Sequence, residues 1–209
     1  MKNVLFALTL VVGGFAAFVA TRPSEFRIER STTIAAPSEI VFEEIDDFRR
    51  WAAWSPWEKM DPAMKREYSG PASGVGATYH WIGNEQVGEG RMTIVESAPA
   101  RVAIRLEFVT PMKATNDVTL ELGPAAGGTD VTWAMTGKND FMAKAAGLFM
   151  DVDAMVGADF ERGLADLTKV VEARWAAERA AREAAEAAAA AAVTEAAADA
   201  AAPEAPPES

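Results

Sequence analysis

Between residues 141 and 171 the apolar side chains fall at Phe141, Ala145, Leu148, Phe149, Val152, Met155, Val156, Phe160, Leu164, Leu167, Val170 and Val171. Steps of three and four on a period of about 3.6 residues make one continuous helical stripe. The opposite side carries Lys144, Asp151, Asp153, Asp159, Glu161, Arg162, Asp166 and Lys169, a solvated face. Asn139 or Asp140 suits the N-cap, and Asp140 also suits the positive end of the helix dipole. A stripe of this length demands an equally long apolar partner. The chain between residues 60 and 137 offers one, in the form of a sheet.

That region reads as a meander. Strands are predicted at 64–69, 76–82, 86–96, 101–109, 114–122 and 129–137, after a first strand over 26–34. The separators are turn chemistry: Gly70-Pro71, Gly83-Asn84, Ala98-Pro99, Thr110-Pro111 and Gly123 to Gly128. Gly83-Asn84 suits a two-residue hairpin turn with positive φ. Val102, Ile104, Leu106 and Phe108 alternate with Arg101, Arg105 and Glu107, so one face is dry and the other wet. Between the first strand and the meander, Pro37 opens a helix whose Ile40, Val41, Ile45 and Phe48 face inward. Three tryptophans follow within seven residues, Trp51, Trp54 and Trp57.

The two ends differ from this middle. Residues 3–20 are uncharged and apolar, and at ~1.5 Å per residue they span roughly the hydrocarbon thickness of a bilayer. An uncleaved membrane anchor and a cleaved signal peptide both fit; Phe18 spoils the small-x-small pattern before Ala20 that cleavage needs. Residues 174–209 are rich in Ala, Glu and Pro, helical at first and then of low complexity, disordered at the Pro-containing end. The expected organisation is an anchor over 1–23, one domain over 24–173 and a tail over 174–209.

A net charge of −11 excludes a nucleic-acid surface built from clustered Lys and Arg. With no cysteine and one histidine there is no thiolate chemistry, and no basis for a metal cluster. The glycines between 70 and 90 do not fit a nucleotide loop, because Tyr79 stands where the third glycine of G-x-G-x-x-G belongs. Neither a metal nor another cofactor is expected.

The joints of this pattern carry a family resemblance. Arg30-Ser31, Ile34-x-Ala36-Pro37, Trp54-Ser55-Pro56-Trp57, Asp61-Pro62, Tyr68-Ser69-Gly70-Pro71, Gly74-Val75-Gly76-Ala77, Trp81, Gly83-Asn84, Gly88, Gly90, Asp159-Phe160 and Gly163-Leu164 occur in order over about 25–173. In this the chain resembles the START-related SRPBCC superfamily, in its polyketide cyclase/dehydrase and lipid-transport branch. The resemblance implies an α+β helix-grip fold: a seven-stranded antiparallel sheet around a long C-terminal helix, here preceded by a transmembrane segment. It implies a cavity between sheet and helix. It also implies a bacterial inner-membrane protein whose soluble domain lies on the periplasmic side.

Three functions follow from these readings. The first is a membrane-anchored binding module for a hydrophobic small molecule (lipid, isoprenoid or polyketide-like), attached through residues 3–20. The second is a cyclase/dehydrase-like enzyme, with Tyr79 as the polar group assisting proton transfer. The third is a partner-binding scaffold with a filled core. The expected cavity lining is Tyr79, Trp81, Met92, Leu106, Phe108, Trp133 and Met135 from the sheet, and Leu148, Phe149, Val152 and Met155 from the helix. Trp54 and Trp57 are either a lid or part of a small satellite core. His80 falls on the opposite strand face from Tyr79 and Trp81 and is expected in solvent. Asp61 and Glu85, in loops at the rim, are the acids to test for chemistry, whereas Glu43/Glu44 and Asp151/Asp153 are read as hydrated helix faces.

Overall fold

The computed structural model describes residues 2–200. The chain divides between Val171 and Glu172 into two compact units. The first opens with helix α1 (Lys2–Ala20) and strand β1 (Glu25–Ile34). Helix α2 (Ser38–Ile45), a 3-10 turn (Arg50–Ala53) and the short helix α3 (Pro56–Met60) come next. Then follow β2 (Lys65–Ser69), β3 (Thr78–Ile82), β4 (Glu89–Ala98), β5 (Arg101–Thr110), β6 (Ala114–Ala125) and β7 (Gly128–Lys138), helix α4 (Phe141–Ala146), and α5 (Val152–Ala200).

The strands form one antiparallel sheet in the order β1-β7-β6-β5-β4-β3-β2. The meander pairs each strand with the next, and β1 closes on β7 over ten residue pairs, from Glu25 opposite Lys138 to Ile34 opposite Thr129. Period-two alternation sends Ile28 and Ile34, Tyr79 and Trp81, Met92 and Ile94, Val118 and Leu120, and Trp133 and Met135 to one buried face. Register shifts at Glu89/Gly90 and Ile94/Glu96 interrupt β4, the local irregularity that lets a sheet bend. Helix α2 packs on β6 and β7 through a buried side that includes Ile40, Val41 and Ile45. Phe160, Leu164, Leu167 and Val171 of α5 are buried to 2 % exposure or less, so the core lies between the sheet and this part of α5.

The helix approaches closely because of a glycine. A Cβ at Gly163 would lie 2.7 Å from Trp133 Cζ3 and 3.1 Å from Pro56 Cδ. Without it, Trp133 and Phe160 stack with their rings 6° from parallel and 4.4 Å between centroids. One turn earlier, Gly157 leaves room for the Arg30 guanidinium, which reaches from β1 to Glu161 (2.8 Å) and Asp153 (3.3 Å).

Two expectations are corrected. The helical stripe does not run unbroken from Phe141. Asp140 caps α4 by accepting from Ala143 N at 2.8 Å, as expected, but α4 ends at Gly147, and the Asp151 carboxylate accepts from Ala154 N at 2.9 Å to start α5 afresh. An Asx side chain that serves as an N-cap competes with helix continuation. The Gly83-Asn84 hairpin is likewise not a two-residue turn. Residues 83–88 form a longer loop closed by Gly83 N to Gly88 O (2.9 Å), and Gly88, not Gly83, takes the positive φ of 62°.

Helix α1 packs against α4, and Val19 is buried. Among the described residues no helix is long and apolar enough to cross a membrane. Several side chains of the anchor expected over 3–20, those of Val4, Leu5, Ala7 and Leu8, lie outside the described ones. In the second unit the helix reaches Ala200, eight residues past the expected end of helical character near Ala192, with Arg174–Glu178 at 2.9 Å and Arg179 and Arg182 over the Trp175 ring. The expected disordered end falls largely on residues 201–209, outside the described residues.

Gly163→Ala should destabilise the protein by about 1–3 kcal/mol through overpacking on Trp133, although alanine is the better helix former by about 1 kcal/mol. Gly157→Ala should cost less, since the half-exposed Arg30 side chain can swing aside; chemical denaturation midpoints at constant slope measure both. Beyond Val171 no described side chain is buried. Deleting residues 174–209 should therefore leave the thermal midpoint of the first unit within roughly 3 °C.

Candidate functional site

A cavity of about 180 Å³ lies between the buried sheet face, α3 and the first turns of α5. Each strand delivers its contribution by alternation: Tyr79 and Trp81 from β3, Met92 from β4, Leu106 and Phe108 from β5, Val118 from β6, and Trp133 and Met135 from β7. The register sets these side by side, with Tyr79 opposite Met92, Met92 opposite Leu106, and Val118 opposite Met135. Val156, Asp159 and Phe160 enter from α5 at helical spacing, and Trp51, Ser55, Trp57, Glu58 and Met64 close the side formed by the 3-10 turn and α3. Gln86 and Val87 of the β3–β4 loop complete the wall.

All seven sheet residues expected in the lining are there. The four expected from the helix are not. Phe149, Val152 and Met155 are exposed and Leu148 is half-buried, because the break at residues 147–151 takes them off the stripe; Val156 is the first α5 side chain to reach the cavity. The two lid candidates separate. Trp54 is fully buried and away from the cavity, its Nε1 donating to the Glu44 carbonyl at 3.4 Å, so it belongs to the core. Trp57 lines the cavity and meets Trp133 edge-on at 5.8 Å.

The polar end of the wall was not foreseen. Glu58, with 8 % of its side chain exposed, accepts from the Tyr79 hydroxyl at 2.6 Å and from Arg66 Nε at 2.6 Å. Arg66 also donates to the Met64 carbonyl at 2.7 Å. Tyr68 stacks on Tyr79 at 5.2 Å, and the Arg49 guanidinium lies over Tyr68. Burial, then the hydrogen bond to Glu58 and its negative charge, push the Tyr79 hydroxyl far above the ordinary tyrosine range. Burial first, then the Glu58 charge, raise Tyr68 as well. Tyr79 is thus a neutral donor held on a carboxylate, not a poised base. The position of Glu58 two residues before Met60 in a five-residue helix gave no periodic signal that it points inward.

The other acids and the histidine serve the fold. Asp61 accepts from Ala63 N (3.1 Å) and Asn84 N (2.7 Å), tying the end of α3 to the β3–β4 loop. Glu85 is exposed and outside the lining. Glu44, expected in solvent, is buried and takes Arg50 at 2.8 Å. His80 is on the strand face away from the cavity, as expected, but only 19 % of its side chain is exposed. It sits between Glu67 (3.3 Å) and Glu89 (3.2 Å); the register that puts Glu67 opposite His80 supplies a partner that strand patterning alone did not assign. Lys59 of α3 reaches Asp166 of α5 at 2.5 Å, and Lys59 and Lys169 together hold that carboxyl below the usual range.

The model of a family described as polyketide cyclase/dehydrase and lipid transport matches residues 25–172. No curated protein matches the chain. Among solved structures, protein CV1439 from Chromobacterium violaceum is similar at 18 % identity, with 72 % of this chain and 99 % of that one covered and a TM-score of 0.51. A Staphylococcus aureus protein of unknown function, SA2116, aligns at 15 % identity over 72 % and 95 % of the two chains, with a TM-score of 0.52. The Aha1 dimer from Colwellia psychrerythraea gives 16 % identity over 70 % and 96 %, with a TM-score of 0.50. At these identities the likeness is one of fold.

Tyr68 and Tyr79 are the only tyrosines in the chain, so alkaline titration reads them without interference. Both are raised in the folded state, so their ionisation favours unfolding: stability is intact below the ordinary tyrosine value of about 10 and is lost as pH climbs above it. Ultraviolet titration should show no tyrosinate near that value while the protein stays folded. Glu58→Gln, which removes the charge, should bring both transitions down.

Proposed function

Because the chain belongs to the polyketide cyclase/dehydrase and lipid-transport family, we propose that it is a membrane-associated binding module for a hydrophobic small molecule held between the sheet and α5. The observation that carries this reading is the cavity itself: about 180 Å³ walled mainly by aromatic, Met, Leu and Val side chains. An apolar cavity of about 150 Å³ is enough to bind benzene. Removing apolar ligand surface from water is worth roughly 25 cal/mol per Å², and the Met side chains allow the wall to adapt.

Tethering is the second element of the proposal. Phe6, Leu10, Val11, Val12, Phe15 and Phe18 of α1 are exposed, as are Phe141, Met142, Phe149, Met150, Val152 and Met155 around the α4–α5 junction. Large exposed apolar side chains near one another favour a lipid or protein surface over water. We assign α1 as the attachment to the bacterial inner membrane, with the sheet domain on the periplasmic side.

The presence of Glu58 and Tyr79 in the wall favours a second reading, a cyclase/dehydrase-like enzyme. It ranks below the first because both oxygens of Glu58 already accept hydrogen bonds and the Tyr79 proton is committed to one of them.

Native mass spectrometry of the full-length chain, isolated from its own membrane and extracted with organic solvent, tests the binding reading. An apolar molecule at near one-to-one stoichiometry is expected, and Val118→Trp, which fills the cavity, should abolish its retention. A bare protein that also fails to take up apolar probes would overturn the reading.

A further inference from the structure

Four tryptophans are buried to 7 % exposure or less: Trp51, Trp54, Trp81 and Trp133. Three of them donate their indole N–H to main-chain carbonyls, Trp51 to Ile45 at 3.0 Å, Trp54 to Glu44 at 3.4 Å and Trp81 to Val87 at 3.0 Å. The fourth, Trp133, is 1 % exposed, and its Nε1 has no acceptor among the described residues. It is also a wall of the cavity. Buried indole N–H groups normally find a partner.

The ring cannot turn to look for one. Phe160 stacks on its face, Trp51, Trp54 and Trp57 meet it edge-to-face at 5.5–5.9 Å, and Gly163 of α5 sits against its Cζ3 corner. In an indole Nε1 lies diagonally across from Cζ3, so the N–H corner is the one turned away from that helix contact. The donor is fixed, dry and borders an apolar space.

The charges nearby define what kind of acceptor fits. Arg66 is engaged by Glu58, and Asp159 by Arg162, so neither arginine is available to neutralise an incoming anion. A carboxylate brought into the wall would face the Glu58 charge in a poorly solvated site. A neutral oxygen meets neither cost.

We infer that the molecule held in this cavity carries a neutral carbonyl oxygen on a mono- or bicyclic apolar skeleton, and that this oxygen accepts the Trp133 indole N–H. The inference rests on the binding reading above. The skeleton follows from the volume, slightly larger than that of the cavity of about 150 Å³ that accepts one benzene ring.

The test uses the full-length chain with two probes of matched size, 1-tetralone and tetralin, which differ by the carbonyl oxygen. Calorimetry should show 1-tetralone binding about tenfold or more tightly, with the preference reduced to about twofold or less in Trp133→Phe. In nitrogen-15 spectra of the unsubstituted chain, 1-tetralone and not tetralin should shift the Trp133 indole N–H resonance, a readout that does not depend on the variant's folding. Equal affinity for the two probes would overturn the carbonyl inference and leave the binding module standing. So would a preference for 1-tetralone with an unmoved Trp133 resonance, since the oxygen would then be read elsewhere. Failure of both probes to bind would overturn the inference, and the absence of a co-purifying molecule as well would remove the binding reading beneath it.

Discussion

The contact on which this architecture depends is the face-to-face stack of Trp133 and Phe160. It joins the middle of the sheet to the helix, and it requires a residue without a side chain at position 163. Around it the other tryptophans of the 51–57 run arrange themselves edge-on, as aromatic quadrupoles prefer. The stack closes one side of the cavity. On the far side the sheet continues through Met135, Val118, Leu106 and Met92 without a helix pressed directly upon it, and the space between is what remains. The cavity is a consequence of where the helix touches, not of a hole cut in a finished core.

The anchoring at the periphery is polar. Arg30 ties β1 to α5, Lys59 ties α3 to the same helix, and Asp61 ties the end of α3 to the β3–β4 loop. Each of these is partly exposed, so each contributes modestly on its own. Their placement matters more than their strength. They fix α3, the element that brings Trp57 and Glu58 to the wall.

Much of this was legible in the sequence because strands alternate with a period of two. Tyr79 and Trp81, Leu106 and Phe108, and Trp133 and Met135 are pairs two residues apart, and any sheet that buries one member buries the other. The register then needed only short turns between successive strands. The helical contribution was misread for a local reason. Leu148, Phe149, Val152 and Met155 fit the stripe in spacing, but spacing is silent about whether a polar side chain such as that of Asp151 will restart the helix. Glu58 and Arg66 were illegible for another reason: they meet across eight residues of irregular chain, where no period applies. The unpaired N–H of Trp133 is a property of three-dimensional surroundings, and no pattern along the chain distinguishes it from the indoles of Trp51 or Trp81.

Gly90 lies directly beneath the Trp81 indole, so that even a methyl group there would collide with the ring and with the Glu107 carbonyl. Trp81 in turn forms part of the cavity wall. The ring is therefore propped from below by a backbone position that no bound molecule touches. In an evolving lineage this gives selection a handle on pocket shape outside the pocket: a change at residue 90 would tilt an aromatic wall and alter which guests fit, leaving every contacting side chain as it was.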